Sequence, residues 1–526
     1  MQPALRLYTR LTRRGVLLLV LAFVVYTLVE AVSYVQTYPD QAARERLSEF
    51  GDQPAVRMLQ GIPHAVDTIG GFVVWDGGWF MQAVIGVWAI LATSRLLRGE
   101  EDSGRGELVG VGQLSGAGLT RAALAVVFAG CVVTGIGVFA AIAIPSEDPL
   151  GAMLFAAGIA GFGVVMAAAT ALACQLVGVR RRAAAVGAAF LGASFVLRMV
   201  ANSGDDRLWV SWLSPFGWMD RLRPFGDNNA VVLPLYVVTV IALTWAALAL
   251  RQRRDLGSAL WSRESDVRTR PLLLASPIRF AWRLTWGVLL VWAVGVGLYA
   301  FFVGSLIKAM GDALADDPTY EAYLELIGLD KQEIYGGMVA VMAVIIGLVI
   351  SLYAAWRIGA ARNEEDSERV EHLLTRPLTR SRWLGGHVAL AVLSILALCA
   401  VNAVAMWFGG VLTESPVGLL DMVKATANLL PVILLFGGAA VAMFGLVPRL
   451  TIAVPAGAVA VAYVISFIGP ALDFPGWVTG ISPFYHVSLV PVADYQLTQG
   501  LAMLGIAVAA TAVGWLAFNR RDVVGA

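Results

Sequence analysis

The chain has 526 residues, of which 58% are hydrophobic and only 14% charged, with a formal net charge of +1. Its mean hydropathy is +0.74, and apolar runs of about 20 residues, the length that crosses a hydrocarbon core at ~1.5 Å per residue, recur from end to end. That composition excludes a soluble enzyme domain, a basic nucleic-acid-binding surface and, because ten-residue alternating strands are missing, a membrane β-barrel.

In chain order, the N-terminal segment is amphipathic. Arg6, Arg10 and Arg13 lie on one side, and Ala4, Leu7, Tyr8 and Leu11 on the other, so a helix resting in the inner membrane interface is expected before the first span. Spans are predicted at 15–36, 72–94, 122–144, 151–178, 183–201 and 230–250, then at 284–307, 335–357, 387–411, 425–447, 451–470 and 500–518. The fold class is an all-α polytopic membrane protein with twelve transmembrane helices in two tandem six-helix halves. Residues 1–257 form the first half, 258–283 a cytoplasmic linker ending in a second interfacial helix, and 284–526 the second half. Placing both termini in the cytoplasm puts most of the 38 Lys and Arg residues inside, as the positive-inside rule demands.

The halves repeat one another. Glu100-Glu101-Asp102-Ser103-Gly104-Arg105-Gly106-Glu107 returns 264 residues later as Glu364-Glu365-Asp366-Ser367-Glu368-Arg369-Val370-Glu371. Ser214-Pro215-Phe216 returns as Ser482-Pro483-Phe484, and Arg253-Arg254-Asp255 as Arg520-Arg521-Asp522. Three matches at nearly one spacing indicate an internal duplication. Glu101 with Arg105, and Glu365 with Arg369, stand four apart in the order that supports a short helix. A single such copy is adequately explained as a solvated loop. Two copies favour two equivalent contacts.

At these residues the chain resembles the permeases of ABC-2 type exporters, most closely the fused tetronasin-type or polyketide-antibiotic exporter permeases. The repeated EEDS-x-R-x-E element and the run Glu371-His372-Leu373-Leu374-Thr375-Arg376-Pro377-Leu378-Thr379-Arg380 resemble that family's coupling segment. The likeness covers essentially the whole chain. In the first copy, Gly110, Gly112, Gly116 and Gly118 stand where the family has its Leu-Leu-x-x-Pro stretch. The resemblance implies a coupling helix that docks on a separate ABC ATPase subunit, in two copies. It assigns this role to Glu100, Glu101, Asp102, Arg105, Glu107, Glu364, Glu365, Asp366, Arg369 and Glu371, with Arg181 and Arg449 as secondary contacts. It also implies a lipophilic or amphipathic substrate, such as an antibiotic, exported across the cytoplasmic membrane as drug efflux.

The chain is not expected to hydrolyse ATP itself. Its three lysines are followed by Ala309, Gln332 and Ala425, so none completes the Gly-Lys-Ser/Thr of a phosphate loop. No cofactor is expected in this chain; ATP and Mg would bind the partner ATPase. The four histidines and three cysteines lack metal-ligand spacing. Glu30, Asp76 and Arg198 fall near the outer ends of spans and are candidates for an outer gate or substrate path. The alternative function is an ion-coupled secondary transporter with two six-span halves, which calls for ionisable residues at mid-membrane. A membrane anchor or sensor would need a soluble effector domain.

Overall fold

The computed structural model describes residues 2–102, 115–253, 277–315, 331–366, 370, 378–468 and 474–521. Among these the chain is helical, without a strand, and eleven helices are long and apolar enough to cross a membrane. The remaining predicted span, 451–470, holds a shorter apolar helix, Ala453–Ile468. The chain divides into two compact units, Met1–Arg268 and Thr269–Ala526.

In the first unit α1 runs over Gln2–Thr37, followed by two short helices, α2 (Gln41–Gly51) and α3 (Pro54–Gln60). The remaining helices are α4 (Ile69–Ser94), α5 (Gly116–Ile142), α6 (Pro149–Leu176), α7 (Arg180–Asn202), α8 (Pro215–Leu222) and α9 (Leu233–Gln252). Their starts are chemically marked. Thr68, Ser115 and Ser214 each accept a bond from a backbone N–H of the first turn, and Asp148 accepts two, with Pro149 at the first helical position.

The second unit contains α10 (Pro277–Ala315), α11 (Lys331–Asp366), α12 (Arg380–Leu412), α13 (Leu419–Ala427), α14 (Leu430–Leu446), α15 (Ala453–Ile468) and α16 (Leu497–Arg520). In both units the fourth span is the most enclosed. Of the apolar window of α6, 67% is buried, and of that across α13 and α14, 61%, against 22% for α1, α10 and α16. The poorly enclosed helices turn Leu17, Leu18, Leu290 and Val508 outward, as lipid solvent permits.

Two expectations change. The amphipathic N-terminal segment is not a separate interfacial helix. It continues into the first span as one helix of 36 residues, about 54 Å long, because nothing between Arg6 and Val35 breaks it. α10 likewise absorbs the interfacial segment expected at 278–283. The fourth span of the second unit is interrupted at Asn428–Leu429, where Pro431 starts a new helix. The Asn428 side-chain amide donates to the Ser488 carbonyl there, at 2.7 Å.

Candidate functional site

The repeated acidic element closes the arginine-rich end of each unit. After α4 the chain passes through a π-helical turn, Arg95–Gly99, into Glu100–Asp102. That turn directs Arg98 inward, where only 1% of its side chain is exposed. Its Nε donates to the Cys174 carbonyl at 2.6 Å and its Nη1 to Glu101 Oε2 at 2.8 Å. The second oxygen of Glu101 faces Arg251 Nη2 at 3.9 Å. One carboxylate thus ties the ends of the second and sixth spans, and Arg98 adds the fourth. Gly116 makes room for this: a Cβ there would collide with the Arg251 guanidinium.

The second copy has the same design with tighter geometry. Arg521 Nη1 and Nη2 donate to the two oxygens of Glu365 at 2.6 and 2.8 Å, the bidentate arrangement favoured by guanidinium and carboxylate. The Arg521 guanidinium lies 5.3 Å from the ring centres of both Phe444 and Phe518. Arg362 Nη1 is 3.4 Å from Glu365, and Arg362 also pairs with Asp366. Arg98 with Glu101 and Arg362 with Glu365 are equivalent pairs at one offset. Beside this clasp, His387 Nε2 lies 3.4 Å from Glu364 and its Nδ1 lies 3.4 Å from Arg357, which is fully buried.

The side chains of the acidic element differ in exposure. Glu364 and Glu365 are buried and paired within their own unit, and Glu101 is largely enclosed. Asp366, Arg181 and Arg449 are exposed. Arg105, Glu107, Arg369 and Glu371 lie outside the described residues, as does the side chain of Asp102; Glu100 is half-buried. Besides Arg251 and Arg521, Glu101 and Glu365 each pair with an arginine three residues upstream, Arg98 and Arg362. That signal was readable: Arg98-Gly-Glu-Glu-Asp-Ser matches Arg362-Asn-Glu-Glu-Asp-Ser. Arg251 and Arg521 were not readable as partners.

At the opposite end of the first unit, Arg198 is buried and fully engaged. It holds Asp220 at 2.8 and 3.0 Å, and donates to the carbonyls of Leu59 at 2.7 Å and Gln60 at 2.5 Å. Asn202 adds a bond to Asp220 at 2.9 Å. Arg198 therefore fastens α3 and α8 to the fifth span. Asp76 accepts from the Gln60 amide at 2.9 Å and has Glu30 as its neighbour. Both the Asp76 and Arg198 contacts converge on the Gln60 region.

The Ser-Pro-Phe repeat performs one task twice. Ser214 Oγ donates to the Ser194 carbonyl at 2.5 Å, and Ser482 Oγ to the Ala462 carbonyl at 2.6 Å. Each bond spans 20 residues and pins the segment after the fifth span back onto that span.

Eleven apolar spans among the described residues, a twice-used ion clasp and a twice-used serine latch define the class: a multi-pass helical protein of the cell membrane built from two similar units. A family model described as "Multidrug efflux system permease Rv1217c, C-terminal domain" matches residues 1–254 and 274–519. The chain is also 32% identical over 524 residues to the multidrug efflux system permease protein Rv1217c of Mycobacterium tuberculosis (strain ATCC 25618 / H37Rv), covering 99% of this chain and 94% of the relative. The chain belongs to the Rv1217c multidrug efflux permease family.

Proposed function

We propose that the chain is the transmembrane permease of an ABC-2 type exporter that moves lipophilic or amphipathic compounds, drugs among them, out of the cell. The observation that carries this reading is the match to a multidrug efflux permease along nearly its whole length. The duplicated clasp supports it by giving each unit a rigid end on which a partner can push. Energy would come from a separate ATPase, in two copies, that binds ATP and Mg. The exposed Asp366, Arg181 and Arg449 are the described residues best placed to meet it. A buried Glu365 would act on the partner only indirectly, by holding the element in place.

The test is drug uptake into inverted membrane vesicles from cells expressing the permease with its candidate ATPase. Uptake should require ATP and should vanish when the ATPase phosphate-loop lysine is replaced. Uptake that survives that replacement but is abolished by a protonophore would favour the ion-coupled alternative. The purified permease alone should not hydrolyse ATP.

A further inference from the structure

The second unit contains an apolar groove of about 580 Å³. Ala354 and Ile358 of α11, Val388 and Ile395 of α12, Val441 of α14 and Trp515 of α16 wall it. Its one hydroxyl, Thr511 Oγ1, already donates to the Ala507 carbonyl at 2.8 Å, so it offers a ligand no free donor and the wall is otherwise almost wholly apolar. Along α16 the lining runs from Leu504 to Leu516, about 18 Å at ~1.5 Å per residue. That is close to one leaflet's half of a ~30 Å hydrocarbon core.

Glycine contacts open this groove. A Cβ at Gly438, Gly445 or Gly514 would run into facing backbone, which draws α14 tightly onto α16. A Cβ at Gly304 or Gly409 would meet the carbonyl of Met406 or Phe301, which draws α12 onto α10. The two attractions part α12 from α14. In the first unit Gly135 instead lets the third span close on the fourth, against the Ala156 carbonyl.

An apolar void within a bilayer is filled by hydrocarbon, because water finds no partners there and an empty wall loses its dispersion contacts. What fills it is indicated by its arginine-rich end. Ser381 closes that end, receiving bonds from Trp515 Nε1 at 3.3 Å and Asn519 Nδ2 at 2.9 Å. Arg382 and Arg520, the next residue on each helix, are both exposed. A hydrocarbon slot of one leaflet's length below two exposed guanidiniums is complementary to an anionic amphiphile. The first unit has a hollow of about 360 Å³ near Val132, Phe139 and Met153, but it lies toward the opposite end of its spans, away from such a rim.

We propose that this groove holds an acyl chain of an anionic phospholipid whose headgroup rests on Arg382 and Arg520. The proposal relies on the reading that the arginine-rich end is cytoplasmic, where anionic lipid is concentrated. The occupant is a bound lipid rather than the exported compound, so the site is assayed by binding and not by transport.

The experiment uses the full chain in phosphatidylcholine bilayers at low salt, with trace spin-labelled phosphatidylglycerol or spin-labelled phosphatidylcholine. Protein-bound label is read as the immobilised spectral component. Phosphatidylglycerol should be preferred several-fold, since each arginine near an anionic surface is worth about fivefold. Arg382→Gln with Arg520→Gln should bring the preference close to one. Ala512→Phe, at an exposed position lining the groove, should reduce immobilised phosphatidylglycerol while leaving the thermal unfolding midpoint in place; Ala512→Leu should do so less. Equal association of the two lipids, a preference untouched by the arginine pair, or immobilisation unchanged by Ala512→Phe would each overturn the proposal. So would displacement of the label by a neutral lipophilic drug with equal effect on both lipids. Failure of drug export with lipid preference intact would count against the transport reading alone.

Discussion

Arg521 takes both carboxylate oxygens of Glu365, at 2.6 and 2.8 Å, across 156 residues of chain. The pair joins the end of the sixth span to the end of the second, with the Glu365 side chain wholly shielded from solvent. Breaking this pair from the arginine side leaves a buried carboxylate with only the looser Arg362 contact, at 3.4 Å, as compensation.

Arg521→Ala should therefore cost up to about 3 kcal/mol of stability, the low end for a buried pair broken from one side, and Glu365→Ala less, since Arg521 is partly exposed. The double change Glu365→Gln with Arg521→Gln should recover part of that loss, because no lone charge remains. Thermal unfolding of the purified permease in detergent checks both. Equal losses in single and double variants would show that the clasp is not an energetic unit.

Exposed residues of the same region should behave oppositely. Asp366→Ala with Arg449→Ala should leave the unfolding free energy within about 0.5 kcal/mol of the parent, as is usual for surface changes. Under the proposed function these changes should weaken co-purification with the ATPase or lower drug-stimulated hydrolysis. Full assembly and hydrolysis would remove these two residues from the docking surface.

The serine latches permit a test of the duplication itself. Ser482→Ala should cost about 1 kcal/mol, the usual net value of one such bond. Ser214→Ala should cost at least as much, since its hydroxyl engages the equivalent carbonyl of the fifth span and also caps α8. A loss in only one unit, by hydrogen exchange of the two fifth spans, would show that the repeat has diverged in energetics.

Acid should loosen the start of α6 through Asp148. The Gly151 N–H, accepted at the helix N-terminus, together with bonds from Asn228 and Leu150, holds this carboxyl below its ordinary value of 3.8. The folded value is the lower one, so the cap's stabilisation is present above the ordinary value and lost as pH falls through the folded value. Asp148→Ala should cost about 1 kcal/mol at neutral pH. Asp148→Asn should keep most of that while losing its acid sensitivity. Unfolding of the two variants between about pH 2 and about pH 7, the range in which carboxylates titrate, distinguishes the cases.

Orientation is open to direct chemistry. Cysteines at Gly226, which is exposed beyond α8, and at Ser258 should react with an impermeant thiol reagent from outside and inside respectively. The reverse pattern would invert the assignment of the arginine-rich end to the cytoplasm.

Much was legible in the sequence by itself: the membrane class, the apolar spans, and the duplication down to Ser214 and Ser482. These follow from composition and from residues near one another in the chain, which hydropathy and repeat spacing report directly. Even the Arg98–Glu101 and Arg362–Glu365 pairs stood in the text of the repeat. Only the tertiary structure decided which way those carboxylates face. Helical spacing gives Glu365 neighbours three and four residues away, but it does not reveal that Arg521 and the Phe444 and Phe518 rings close over it. The groove beside α16 was equally hidden. It arises from where Gly438, Gly445 and Gly514 let two backbones touch, and close approach depends on which helix stands opposite, a relation that linear spacing does not encode.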